Sequence, residues 1–234
     1  VLETTRQFDH TIVGAPSSGI VKIDDIMSAI NDQTVLVSVM MANNEVGTIQ
    51  PIKDIAAALM DIRTKRLAAG NSLPLYLHSD AAQAATTLDV HVSRLGIDLL
   101  TLNGGKMYGP KQSGILYVRT GTNLQPLMYG GGQERGMRSG TENVAFAVGF
   151  AKALELAQSD RKDESHRLQA LRDQLQKAII EALPDVVING DQRHRLPHNL
   201  NITVPGIDGE AVVREQLAWA SGMHGLCKLT GETN

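Results

Sequence analysis

The chain has 234 residues, of which 42% are hydrophobic and 20% charged, with a formal net charge of -3. That length can bury a real core as one large domain or parts of two, and the composition excludes a disordered chain; apolar runs such as Thr34–Ala42 are too short to span a bilayer. The near-balanced charge gives no electrostatic basis for a nucleic-acid or membrane-surface partner, and the single cysteine, Cys227, excludes an internal disulfide and fits a reducing, cytoplasmic compartment.

In chain order, Val1–Ile12 is too short and mixed to assign, although Ile12 and Val13 can end a short strand. Over Lys22–Ile30 the apolar positions Ile23, Ile26, Met27 and Ile30 fall at helical spacing, and Asp24 and Asp25 suit the positive end of the helix dipole. Val35–Met41 is nearly continuous and rich in valine, the pattern of a strand buried on both faces. Pro51 opens a helix carrying Ile55, Ala56, Leu59, Met60 and Ile62, which runs to a basic end at Lys65 and Arg66 and closes at Gly70. Strands are predicted at Pro74–His78, Leu99–Leu102 and Gly114–Arg119. This alternation implies an α/β fold with a mainly parallel sheet covered by helices on both faces.

Beyond Gly130–Gly132 the pattern changes. Asn143–Ala157 is strongly apolar, and Leu168, Leu171, Leu175, Ile179 and Leu183 mark a helix face that Pro184 ends. The charged stretch Asp160–Arg167 between them reads as a solvated face or a helix junction, and the domain boundary is placed near Ala151–Asp160. Val186–Ile188 and Leu200–Val204 read as strands of the second unit, and Gly209–Ala220 as its helix.

The chemistry gathers around Asp98–Pro110. An apolar run ends at Asn103, glycines follow at Gly104 and Gly105, and Lys106 comes next, before a breaker pair at Gly109 and Pro110. The plain reading is a solvated surface lysine; the functional one is an amine held at a strand end, able to form a Schiff base with a carbonyl cofactor. Ligands of such sheets sit beyond the carboxyl ends of the strands, where Asn43, Asn44, Asp80 and Lys106 each follow one. Other motifs fail on spacing. Gly104-Gly105-Lys106 lacks the upstream glycine of a phosphate loop and has Met107 where the hydroxyl belongs. Pro197 lies between His194 and His198, so no metal pair is expected. Taken together, Lys106, Asp80, Asn44, Gln83 and Thr141 match what an electron-sink cofactor needs: an amine, an acid for a pyridinium nitrogen, and hydrogen bonds to a phenolic oxygen and a phosphate.

Four ordered blocks carry a resemblance. Ser38–Ile52, containing Asn43-Asn44-Glu45-Val46-Gly47, resembles the Asn-Asn-Glu-x-Gly segment of cysteine desulfurases, the NifS-like pyridoxal-phosphate enzymes of the class V aminotransferase family. His78–Gln83, Lys106–Lys111 and Gly130–Thr141 are similar to three further family blocks in the same order, and the similarity runs from Val1 to about Glu210. It implies the large domain of a pyridoxal-phosphate-dependent transferase over residues 1–155, its N-terminal part absent, and part of a smaller α+β domain over 156–234. It also implies that Lys106 forms the Schiff base with pyridoxal 5'-phosphate and that Asp80 pairs with the pyridine nitrogen, with Gln83 and Asn44 near the phenolic oxygen. Thr141 resembles the threonine that reaches the phosphate of a neighbouring subunit, which implies a homodimer. In the family, L-cysteine yields alanine, and a cysteine nucleophile takes the sulfur as a persulfide. That sulfur passes to an acceptor or scaffold protein for iron-sulfur clusters or thio-cofactors.

Cys227 falls at the family offset from Gly209-Glu210, but in the run Met223–Leu229 instead of the usual Ser, Gly and Ala surroundings; it is either the nucleophile or an inert thiol. Asn103-Gly104-Gly105 stands where the family has Ser-Gly-His, so Asn103 takes a cofactor-binding position with a changed side chain and the imidazole is absent; a lost hydrogen bond to a charged phosphate costs about 1.5–3 kcal/mol. Val1 aligns just after the family histidine that stacks on the cofactor, and the chain stops shortly after Cys227, so truncation at both ends is expected. Two activities compete with the desulfurase reading: a noncatalytic, dimerising fold remnant, and a selenocysteine lyase.

Overall fold

The computed structural model describes residues 2–207 together with Gly209, Val212, Lys228 and Leu229. The helix expected over 209–220, apart from those two positions, and Cys227 lie outside the described residues. The chain begins with α1 (Leu2–Thr5) and α2 (Ile23–Ala29), followed by β1 (Leu36–Met40). The helix α3 (Ile52–Ala68) links β1 to β2 (Tyr76–Asp80), and α4 (Val92–Leu95) leads into β3 (Leu99–Asn103). One 3-10 turn, Gly104–Lys106, separates β3 from β4 (Gly114–Val118). After a second such turn at Glu134–Gly136 come α5 (Val144–Ala182), β5 (Val187–Ile188), β6 (Asn201–Thr203) and β7 (Lys228–Leu229).

The main sheet has the order β1-β2-β3-β4. β1, β2 and β3 are parallel, with Met40 opposite Asp80 and Asp80 opposite Thr101, while β4 returns antiparallel on β3. Parallel neighbours need a crossover, and α3 supplies the longest. Its apolar residues Ile52, Ile55, Ala56 and Leu59 are buried, Asp54 sits in its first turn, and Lys65 and Arg66 complement the dipole in its last. Arg66 is itself buried, and its guanidinium donates to the carbonyls of Thr34, at 2.9 Å, and Asn31, which fixes the loop entering β1. A smaller sheet, β5-β6-β7, pairs β6 antiparallel to β5 and parallel to β7.

The core lies on one side of the main sheet. Ile55, Leu59, Leu77, Ile97 and Leu100 are fully buried, each contributing about 1.5–3 kcal/mol of transfer free energy. In β2, Leu77 and Ser79 are buried whereas Tyr76, His78 and Asp80 are only partly so. The sheet was expected to be covered on both faces; the face that carries His78 and Asp80 is half-open among the described residues, with Leu36 of β1 and Leu116 of β4 exposed on it. The alternation of a half-open sheet is visible only in β2, because β1 and β3 carry apolar residues on both faces.

The charged stretch 160–167 is not a junction. It lies within α5, a single helix of 39 residues, so the division between residues 155 and 156 falls inside one element. Phe150 anchors that helix in the core, and Gln158 Nε2 donates to the carbonyls of Ala85 at 2.6 Å and Leu88 at 2.9 Å. Among the described residues no helix is long and apolar enough to cross a membrane.

Asp98, at the head of β3, is buried, accepts from Leu77 N–H at 2.8 Å and from Arg63 Nη2, and forms an ion pair with Arg119 Nη1 at 3.5 Å. Removing the carboxylate leaves a buried N–H and two guanidinium groups without their acceptor. Asp98→Ala is expected to lower unfolding free energy by about 3 kcal/mol, the low end for a broken buried ion pair because Arg119 is partly solvated, and Asp98→Asn by roughly half as much. Denaturant midpoints measure this; equal midpoints for the variants and the parent chain would remove Asp98 from the account of the sheet.

Candidate active site

The carboxyl ends of β1, β2 and β3 form one edge, since the three strands are parallel and adjacent. Each end carries a different polar loop. After β1 the chain makes a tight loop: Asn43 N–H donates to Thr48 O at 2.9 Å, and the Asn43 Oδ1 accepts from Glu45 N–H at 2.8 Å and Val46 N–H at 2.9 Å. Of the asparagine pair, then, Asn43 builds the loop and Asn44 stands exposed at its tip.

At the end of β2, Asp80 accepts from Ala82 N–H at 3.0 Å, an Asx turn that fixes the carboxylate plane. The turn that follows is lined by the buried Ala81, Ala84 and Ala85, and places Gln83 half-buried beyond them.

After β3 the lysine turn is built by its neighbours. Asn103 Oδ1 accepts from Gly105 N–H at 2.9 Å, and Gly104 N–H donates to Ser113 O at 2.9 Å. Gly104 is buried beneath α5: a Cβ there would lie 3.0 Å from Phe150 Cδ2 and 3.1 Å from Pro110 O, so only glycine fits. Met107 points into the core, and Lys106, between these fixed points, is exposed and in no ion pair among the described residues. Asn103 therefore spends its side-chain oxygen on the turn, a role the residue type alone does not reveal.

One member of this edge escaped sequence reasoning. His78 lies two residues before Asp80 on the same face of β2, with Nδ1 2.8 Å from Ser38 Oγ and Nε2 2.9 Å from Thr101 Oγ1. A polar side chain from each of three neighbouring strands thus forms one hydrogen-bonded row beneath Asp80. Burial pushes the imidazole below its ordinary value of 6.5, against a smaller upward pull from Asp80. The i, i+2 spacing of His78 and Asp80 was a visible signal, but Ser38 and Thr101 could be matched to it only through the register.

The other expected residues stand apart from the row. Thr141 is exposed on the segment before α5, whose N-cap is Asn143, with Oδ1 accepting from Phe146 N–H at 3.1 Å. Among the described residues no hydrogen bond ties Thr141 to the strand ends, and Cys227 lies outside them.

Comparison with known proteins matches this architecture. Residues 2–218 fit the family model described as aminotransferase class-V. The chain is 42% identical over 208 residues to cysteine desulfurase IscS of Clostridium botulinum (strain Hall), which covers 88% of this chain and 50% of that protein. It is 40% identical over 223 residues to cysteine desulfurase IscS of Ehrlichia chaffeensis, covering 93% and 52%. The chain therefore spans about half the length of these curated relatives. Among solved structures it is similar to a NifS-like protein, with a TM-score of 0.80 at 32% identity over 92% of this chain and 56% of that one. It is also similar to DndA from Streptomyces lividans, with a TM-score of 0.75 at 32% identity over 94% and 61%. A family model that fits nearly the whole chain, together with the parallel sheet and its lysine turn, places this chain in the class-V aminotransferase family.

Proposed function

We propose that this chain is part of a pyridoxal-phosphate-dependent cysteine desulfurase, an enzyme that converts L-cysteine to L-alanine and passes the sulfur through an enzyme persulfide to an acceptor or scaffold protein. The observation that carries the reading is the placement of the Asp80 carboxylate at the end of β2 and of Lys106 on the turn after the adjacent parallel β3, in a chain 42% identical to a cysteine desulfurase. In this reading the sulfur serves iron-sulfur cluster or thio-cofactor assembly in the cytoplasm.

The residues present fit the cofactor. Lys106 offers a primary amine outside any ion pair among the described residues, and Asp80 offers a carboxylate whose plane the Ala82 N–H already sets. A bound pyridoxal phosphate supplies an electron-withdrawing ring that takes up negative charge from the substrate carbon. Asp80 would hold the proton on the ring nitrogen, and Asn44 and Gln83 would hydrogen-bond the phenolic oxygen. Lys106 would supply the amine that holds the aldehyde and the base that moves a proton at the substrate carbon. Burial favours the neutral form of His78, against a smaller upward pull from Asp80, so the row beneath the carboxylate is polar and hydrogen-bonded. Cys227 is proposed as the nucleophile at the substrate sulfur.

A homodimer completes the reading, with Thr141 reaching the partner's cofactor phosphate. It is supported by exposed apolar side chains near that segment: Leu127 and Tyr129 are 97% and 78% exposed, and Val144 is 68% exposed. One observation favours a second reading, a noncatalytic fold remnant: Asn103 Oδ1 is committed to Gly105 N–H, and Gly105 has no side chain to offer a phosphate. Selenocysteine as substrate instead of cysteine remains the chemical variant of the first reading.

Incubating the chain with pyridoxal phosphate, reducing with borohydride and mapping peptides by mass is expected to place the adduct on Lys106 and to lose it in Lys106→Ala. No adduct at saturating cofactor supports the remnant. Cys227→Ala is expected to keep the adduct but to form no persulfide from cysteine; unchanged sulfide release in that variant would free Cys227 of its role. His78 gives a pH signature in the unliganded chain. Its folded value lies below the unfolded one, so the unfolded state binds more protons and stability falls as pH drops below about 6.5 toward the lowered folded value, with His198, also lowered by burial, adding to the slope. His78→Gln is expected to flatten that slope, by at most about 1.4 kcal/mol per pH unit. Superimposable stability–pH curves for the two proteins would contradict a lowered pKa at the half-buried His78.

A further inference from the structure

The loop that presents Asn44 is not held by β1 alone. Its Glu45 carbonyl accepts two side-chain amides from the far end of the chain: Asn199 Nδ2 at 3.0 Å and Asn201 Nδ2 at 3.1 Å. Both asparagines are buried, at 7% and 2% exposure. Backbone bonds run beside them, Ile49 N–H to His194 O and Leu196 N–H to Gly47 O, each 2.8 Å, with Thr48 and Arg195 forming an antiparallel bridge. Gly47 sits at φ +77°, and a Cβ built there would approach Asn199 Cβ to 2.7 Å, so the loop lies directly against the asparagine. Asn201 belongs to β6, and its Oδ1 accepts from Asn189 Nδ2 at 2.8 Å, which ties the contact into the second sheet.

Two donors on one carbonyl occupy both of its lone pairs and fix the peptide plane after Glu45. On the other side of Asn44, the Asn43 Oδ1 holds the amides of Glu45 and Val46. The backbone at the exposed tip is thus constrained from both directions, while the Asn44 side chain points to no described partner.

We propose that Asn199 and Asn201 are positioning residues of the candidate active site, acting through the Glu45 carbonyl to set where Asn44 stands at the strand ends. The proposal rests on the reading of that edge as the cofactor site. A role confined to fold stability predicts that removing these amides loosens the whole molecule evenly. A positioning role predicts a local change.

The test compares Asn199→Ala, the double variant Asn199→Ala/Asn201→Ala, and Gly47→Ala, which forces the same contact apart from the loop side. Ile55→Val serves as a control, a core truncation of modest cost in α3 that leaves the contact between Glu45 and the two asparagines untouched. Hydrogen exchange in the cofactor-free chain is expected to speed up at the Glu45, Val46 and Gly47 amides by tenfold or more in the double variant and in Gly47→Ala, with β2 amides unchanged. Pyridoxal phosphate titration is expected to show binding weaker by about tenfold and a shifted absorption maximum of the bound cofactor, neither of which Ile55→Val reproduces. Exchange that rises evenly along the chain, or cofactor binding weakened no more than in Ile55→Val, overturns the positioning role. If the parent chain itself takes up no pyridoxal phosphate, the desulfurase reading falls, and the exchange pattern alone then decides whether the asparagines hold the loop.

Discussion

The buried carboxylate of Asp98 sets the register on which the rest depends. It stands at the head of β3, accepts from the Leu77 N–H of β2, and draws in Arg63 from α3 and Arg119 from the end of β4. A one-residue slip between β2 and β3 would exchange the faces of every side chain in the slipped strand. Such a slip would also cost the buried Asp98 carboxylate the Leu77 amide, leaving that charge one hydrogen bond short. The charged cluster at one end of the strands thus fixes which side chains meet at the other, where Asp80 lies opposite Thr101 and the lysine turn follows Asn103.

At that other end the electrostatics are arranged by exclusion. His78 is near enough to Asp80 to feel its charge, yet burial outweighs that attraction and favours the neutral ring. The two hydroxyls that contact its nitrogens, Ser38 and Thr101, serve a neutral imidazole well, since each can donate or accept as the tautomer requires. The row accordingly presents hydroxyls and a ring that burial pushes toward neutrality beside the carboxylate.

Most of the elements that bear this chemistry were legible in the sequence, because their signals are local. The valine-rich run before Asn43, the proline opening α3, and the Gly104-Gly105 pair before Lys106 each announce structure within a few residues, and the strands and helices stand within two or three residues of where these signals put them. What escaped is non-local. Asn43 and Asn44 look alike in sequence, and only the hairpin-like closure of Asn43 on Thr48 separates the builder from the exposed one. The continuity of α5 was hidden because charged residues interrupt its apolar pattern, yet a long helix packed at Phe150 and Gln158 can carry a solvated stretch without breaking. The open second face was hidden by valine and leucine on both sides of β1 and β3, which read as doubly buried whether or not anything covers them.

The contact between Glu45 and the two late asparagines is the extreme of this, spanning more than 150 residues with no local signature. Fixing one residue of backbone costs about 1–2 kcal/mol of conformational entropy, which an exposed tip cannot recover by burying its own side chain. Asn44 buries little, so its order has to come from groups that are themselves buried. Asn199 and Asn201 meet that condition: their amides lose water on burial and need an acceptor, and the Glu45 carbonyl is the acceptor each one finds. The desolvation of two amides in the second sheet is thereby converted into order at the edge of the first.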